Sequence, residues 1–97
     1  MVRRGGVKRA IAIRGTDRRV LLLAWAADDT PRLCNLVCTD GEGAIAWRAA
    51  LPGDAPRDCF VQVEEEASRL RAVTFTGIEV LIDPLTGDAV ADRSMAA

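Results

Sequence analysis

An aspartate that closes on a glycine three or four positions later, with an apolar run resuming just beyond, occurs twice: Asp40-Gly41-Glu42-Gly43 and Asp83-Pro84-Leu85-Thr86-Gly87. An Asp carboxylate accepts from backbone amides of the turn it opens, and glycine takes the positive φ that closes it. Each is therefore read as a hairpin tip, built on Asp40 and Gly43 in the first copy and on Asp83, Thr86 and Gly87 in the second. The aspartates lie 43 residues apart and the glycines 44, the second turn being one residue longer. A period of that size is about that of a four-stranded unit, and 97 residues hold two of them.

The stretches between the tips read as strands. Val7, Ile11 and Ile13 alternate with Lys8 and Arg14, the period of a half-buried strand. Residues 20–25 form an apolar strand with Val20 and Leu22 on one face and Leu21, Leu23 and Trp25 on the other, so both faces need cover. Residues 28–31 are a loop, residues 33–39 resume a strand, and residues 44–49 put Ile45 and Trp47 on one face and Arg48 on the other. Residues 51–56, with two prolines, break regular structure and divide the chain into halves. In the second half Cys59, Val61 and Val63 alternate with Gln62 and Glu64, residues 70–75 and 78–82 are further strands, and a short strand follows Gly87. Residues 64–71 are helix formers with Glu65 four positions before Arg69, but eight residues with neither cap nor apolar stripe fit a charged hairpin turn better. The expected fold is all-β: one domain over residues 1–97, an antiparallel meander of seven to eight strands from two blade-like repeats, with residues 1–6 and 94–97 loose.

Composition narrows function mainly by exclusion. Thirteen basic against fourteen acidic side chains leave a net charge of -1, without the concentrated positive field that phosphate neutralisation demands, so no nucleic-acid partner is expected. The longest apolar run, residues 20–27, is far short of the ~20 residues of a membrane-crossing helix, so no membrane partner is expected either. Arg18-Arg19 ahead of residues 20–27 has the outline of a twin-arginine export signal. Its apolar core is very short and the preceding segment already reads as strand, which favours a cytoplasmic location. The three cysteines, Cys34, Cys38 and Cys59, are an odd set in a chain able to build an ordinary core, and are read as free thiols of a reducing compartment.

The chain has no histidine, and with it goes the commonest general base and metal ligand. Ser68 and Ser94 then have no activating base, and no glycine-rich phosphate cradle or carboxylate pair stands out. The cysteine spacing is not that of paired zinc ligands, and neither aspartate turn offers the dense oxygen donors calcium needs. No catalytic, cofactor-binding or metal-binding residue is assigned. Trp25 and Trp47 are assigned to packing or an interface. Glu64-Glu65-Glu66, with Asp28-Asp29, reads as a solvated hairpin tip, with recognition of a basic partner as the alternative.

Asp83-Pro84-Leu85-Thr86-Gly87 matches in full the Asp-x-x-Thr-Gly turn of the quinoprotein-type (PQQ-type) β-propeller repeat, and Asp40, Gly43 and Trp47 match its Asp, its Gly and the Trp four residues beyond. The chain resembles that repeat over residues 33–90, although the first turn lacks Thr and Ala91 stands where the second Trp belongs. It also resembles small bacterial proteins sharing Asn35, Cys38, Asp40, Gly43 and Trp47 and then Gly77, Asp83, Pro84, Thr86 and Gly87. The resemblance implies blade-like sheets. A closed propeller takes about four to eight blades, so two cannot close a ring alone and no quinone cofactor is expected. Open sheets call for self-association, most simply a dimer. The expected function is a non-catalytic module acting through protein contacts, with its own copies first and a further protein partner second; an inhibitor or immunity-type binding protein is the alternative, and a quinone-cofactor-related enzyme a more distant one.

Overall fold

A computed structural model of the chain describes residues 6–24 and 33–94. The fold is all-β, with eight strands: β1 (Val7–Ala12), β2 (Arg19–Leu23), β3 (Leu36–Thr39), β4 (Ile45–Arg48), β5 (Phe60–Glu66), β6 (Arg69–Thr74), β7 (Ile78–Ile82) and β8 (Ala89–Ser94). They form two four-stranded sheets in chain order, β1-β2-β3-β4 and β5-β6-β7-β8, every pair antiparallel. The proline-bearing stretch 51–56 carries the chain from one sheet to the other. Residues 64–71 form a hairpin, with Ala67 and Ser68 as its two-residue tip and Ala67 at a φ of 57°. Of the ends expected to be loose, 1–6 and 94–97, Gly6 accepts from the Ala24 amide at 2.9 Å and Ser94 closes β8; the rest of them, the 28–31 loop and Trp25 lie outside the described residues.

All four outer strands are bulged. The register slips at Lys8 in β1, Ala46 in β4, Val61 in β5 and Val90 in β8, each an extra residue facing a continuous partner. A bulge shifts side-chain parity, and here it corrects the alternation read from the sequence in three places. Ile45 does not share a face with Trp47: Trp47 pairs with core-facing Cys38 and is buried, whereas Ile45 pairs with Thr39 and is 53% exposed. Val61 is turned out, and Phe60 joins Val63 in the core in its place. Val7, beyond the β1 slip, is exposed while Ile11 and Ile13 are buried.

The two sheets share one apolar layer. Ile11, Ile13, Val20, Leu22, Leu36, Cys38, Trp47 and Ala49 come from the first sheet, and Phe60, Val63, Leu70, Ala72, Val80 and Ile82 from the second. The result is a slab 37 × 35 × 16 Å, about two sheets thick, given a spacing of ~10 Å between packed sheets. Its ends are pinned by polar contacts. At one end the Trp47 indole Nε1 donates to the Pro84 carbonyl at 2.9 Å, and the ring stands directly on Gly87, where an added Cβ would lie 2.5 Å from it. At the other, buried Asn35 donates to the Leu23 and Phe60 carbonyls, both at 2.8 Å, and accepts from the Phe60 amide at 2.7 Å.

The sheets stack front to back. In β3 the core-facing residues Leu36 and Cys38 are in phase with Asp40, whose amide donates across the hairpin to Ala44, and Ala49 donates to Leu36. Core-facing residues of β3 therefore bond forward to β4. In β7 the core-facing residues Val80 and Ile82 are out of phase with Asp83, whose amide donates forward to Asp88; they bond back to β6. For L-residues the direction of the amide fixes the face of the side chain, so two sheets of the same strand order offer opposite faces to the shared layer.

Gly87 and Gly43 both hold positive φ, 80° and 89°, but nothing lies within 4 Å of a Cβ placed on Gly43. Gly43→Ala should then cost about 1 kcal/mol of backbone strain, while Gly87→Ala adds collision with the Trp47 ring and should cost about 2–4 kcal/mol. Urea unfolding of the two variants measures the difference.

Candidate functional site

The two aspartate turns are closed by their own carboxylates. Asp40 Oδ1 accepts from the amides of Glu42 (2.8 Å) and Ala44 (3.0 Å), and Gly43 donates to the Asp40 carbonyl at 3.1 Å. Asp83 Oδ1 accepts from Leu85 at 2.9 Å, Gly87 donates to the Asp83 carbonyl at 2.8 Å, and the Thr86 hydroxyl accepts from Asp88 at 3.2 Å. Thr86 thus serves the amide that the extra residue has carried out of the carboxylate's reach. Neighbouring contacts bring the turns together: Gly41 donates to Asp17 Oδ2 at 3.1 Å, and Arg18 Nη1 to the Leu85 carbonyl at 3.2 Å.

Burial and charge meet again at Asp58, which the sequence does not single out. It is fully buried. Its Oδ1 accepts from the amides of Cys59 (3.0 Å) and Thr76 (3.2 Å), and its Oδ2 from the Thr76 hydroxyl (2.9 Å). Thr74 Oγ1 lies 3.2 Å from that hydroxyl and accepts from the Ile78 amide at 3.0 Å. This network ties the β6–β7 turn to the chain entering β5, and its carboxylate is occupied by backbone and hydroxyl donors. The Thr74-x-Thr76-Gly77 turn is the local signal that a polar partner is needed there.

Cys38 and Cys59 are buried and Cys34 half-buried, all three as free thiols. Burial pushes the Cys38 thiol above its ordinary pKa, with Arg18 pulling it down and Asp40 up; Cys59 is raised by burial and by Asp58 against Lys8. Such thiols are poor nucleophiles. Among the described residues no group of three or more His, Cys, Asp or Glu is placed to hold a metal ion. A thiol-reactive dye at pH 7.5 should label no more than Cys34 quickly in the folded protein and all three cysteines in urea.

The sheet faces turned away from the core carry a separate set of side chains. By register the outer face of β1–β4 carries Ala10, Ala12, Arg19, Leu21, Leu23, Val37, Thr39, Ile45 and Arg48. The outer face of β5–β8 carries Gln62, Glu64, Glu66, Arg69, Arg71, Val73, Glu79, Leu81 and Ala91. Glu64 and Glu66 are therefore strand residues on a face, not part of a solvated tip. Cross-strand register gathers them round Arg71, whose guanidinium meets Glu64 at 2.9 Å, Glu79 at 3.0 Å and Glu66 at 3.2 Å. Gln62 donates to the second Glu64 oxygen at 2.9 Å. The hydrogen bonds Arg71 donates to Glu79 and Glu64 raise its pKa, and those donated by Gln62 and then Arg71 hold the Glu64 carboxyl below its ordinary 4.5. A hollow of about 210 Å³ lies on this face between Glu66, Glu79, Leu81, Ala91 and Asp92.

The sign of the pH effect follows. In the unfolded chain Glu64 titrates near 4.5, and in the folded chain lower, so its contribution is present above 4.5 and drains away as pH falls through the folded value. The stability difference between the wild type and Glu64→Gln should be present at pH 7 and shrink toward pH 3, read from urea midpoints at each pH.

Among the described residues no helix is long and apolar enough to cross a membrane. The family described as "Domain of unknown function (DUF7957)" matches residues 5–94. No curated protein and no solved structure matches the chain.

Proposed function

The chain belongs to the family of the DUF7957 domain of unknown function, and on that premise we propose that it is a non-catalytic β module of the cytoplasm that acts through protein contacts, self-association first. One observation carries the reading: in a slab two sheets thick a single layer is shared, and each sheet keeps a whole outer face, one of them bearing half-buried Leu21 and Leu23 and exposed Ile45. Apolar side chains gathered on a sheet face with no sheet packed against it mark interaction sites in soluble proteins.

Faces are better suited to this than edges. The bulges at Lys8, Ala46, Val61 and Val90 sit on the outer strands of both sheets, where a bulge twists the strand away and blunts strand addition. The chain offers little to a reaction: there is no histidine, the buried Asp58 carboxylate is engaged by three donors, and two of the three thiols are buried with raised pKa values. The near-neutral total charge offers no phosphate-binding field.

Light scattering behind a sizing column should give a mass at micromolar concentration at least twice the 10.4 kDa of one chain. A well-folded species of 10.4 kDa at every accessible concentration sinks the proposal.

A further inference from the structure

We propose that the two outer faces are partners for each other, so that copies join head to tail, the outer face of β1–β4 in one copy lying on the outer face of β5–β8 in the next. This rests on the self-association reading above and specifies its geometry.

The front-to-back stack is the first argument. Two sheets joined front to front would leave two back faces, and further growth would require a new kind of contact. Here the shared layer joins the front of the first sheet to the back of the second, as the opposite bonding directions of the core-facing residues in β3 and β7 establish. What is left over is a back on the first sheet and a front on the second, the same two kinds of face that already pack inside the chain. A contact of this kind is heterologous, and it closes into a ring when its rotation permits.

Charge is the second argument. Residues 1–50 hold nine basic and five acidic side chains, and residues 51–97 hold four basic and nine acidic. The near-zero total therefore hides a positive half followed by a negative half. On the faces themselves, Arg19 and Arg48 flank Leu21, Leu23 and Ile45 on the first sheet. Among the described side chains on the second, Glu64, Glu66 and Glu79 gather round Arg71 and outnumber it and Arg69. Like faces would repel and unlike faces attract, which favours head-to-tail over a symmetric pair.

Side-chain size is the third. Within the chain, bulky Trp47 stands on Gly87, and the position two residues beyond that glycine is Ala89. Between copies the sizes are exchanged. Ala91, four residues after Gly87 as Trp47 is after Gly43, borders the hollow of about 210 Å³, and the equivalent of Ala89 is Ile45, 53% exposed beside an open Gly43. A small residue on one face is thus answered by a large one on the other.

The test uses one blocking substitution per face at exposed positions. Ile45→Glu places a carboxylate opposite the glutamates and Ala91→Arg a guanidinium opposite the arginines; Arg48→Glu and Gln62→Arg form a second pair should circular dichroism show either of the first misfolded. Analytical ultracentrifugation should find that each single variant associates at least tenfold more weakly than the wild type. An equimolar mixture of the two should recover a complex containing one copy of each, because the intact face of one meets the intact face of the other. If one or both single variants assemble like the wild type, or the mixture gives no mixed complex, the head-to-tail pairing is overturned and self-association through another surface stands. A wild type that stays monomeric throughout overturns the pairing and the self-association reading together.

Discussion

Two sheets that share no strand ladder among the described residues depend on the contact of Trp47 with the Asp83–Gly87 turn. Apart from the Leu33 amide on the Asp58 carbonyl at 3.1 Å and the side-chain bonds of Asn35, Trp47 and Arg18, what joins them is the apolar layer, and an apolar layer is not directional. Direction comes from its ends. The indole needs a residue without a side chain beneath it and a carbonyl in reach, and the turn supplies both in Gly87 and Pro84. Asn35, bonded at once to β2 and β5, sets the opposite end. Between these two clamps the rest of the core has one register in which to settle.

Locally determined features were legible in the sequence. A hairpin tip depends on a carboxylate reaching amides two and four residues on and on a glycine that accepts positive φ, so Asp40, Gly43, Asp83, Thr86 and Gly87 can be read without knowing any partner strand. Though its two-residue tip at Ala67 and Ser68 was not, the hairpin within residues 64–71 was legible from charged residues with neither cap nor apolar stripe. So was the division at residues 51–56, since proline cannot donate to a ladder. The match to an all-β architecture of two four-stranded units follows from these points.

The features that stayed hidden are those that need a second strand to define them. The bulges exist only as a mismatch between neighbours, and those in β1, β4 and β5 inverted the parity read along the chain, which is why Val7, Ile45 and Val61 were assigned to the wrong side. Glu64, Glu66 and Glu79 come from two strands and meet on Arg71 from a third; along the sequence they are a charge run and an isolated acid. Asp58 is an ordinary loop residue until its environment shows three donors and full burial. The opposition of the two faces is more remote still, since it depends on which neighbour each amide addresses.

Every ladder in this fold joins strands adjacent along the chain, so each sheet can zip up from its own hairpins with short loops to close. The clamp is different. Trp47 is made early, but its seat at Gly87 follows it by 40 residues. During synthesis the first sheet must wait with its apolar side bare until the second has been made. Truncation shortly before that seat would strand a half-molecule with nothing to lie against, so cooperativity here is a matter of timing as much as of energy.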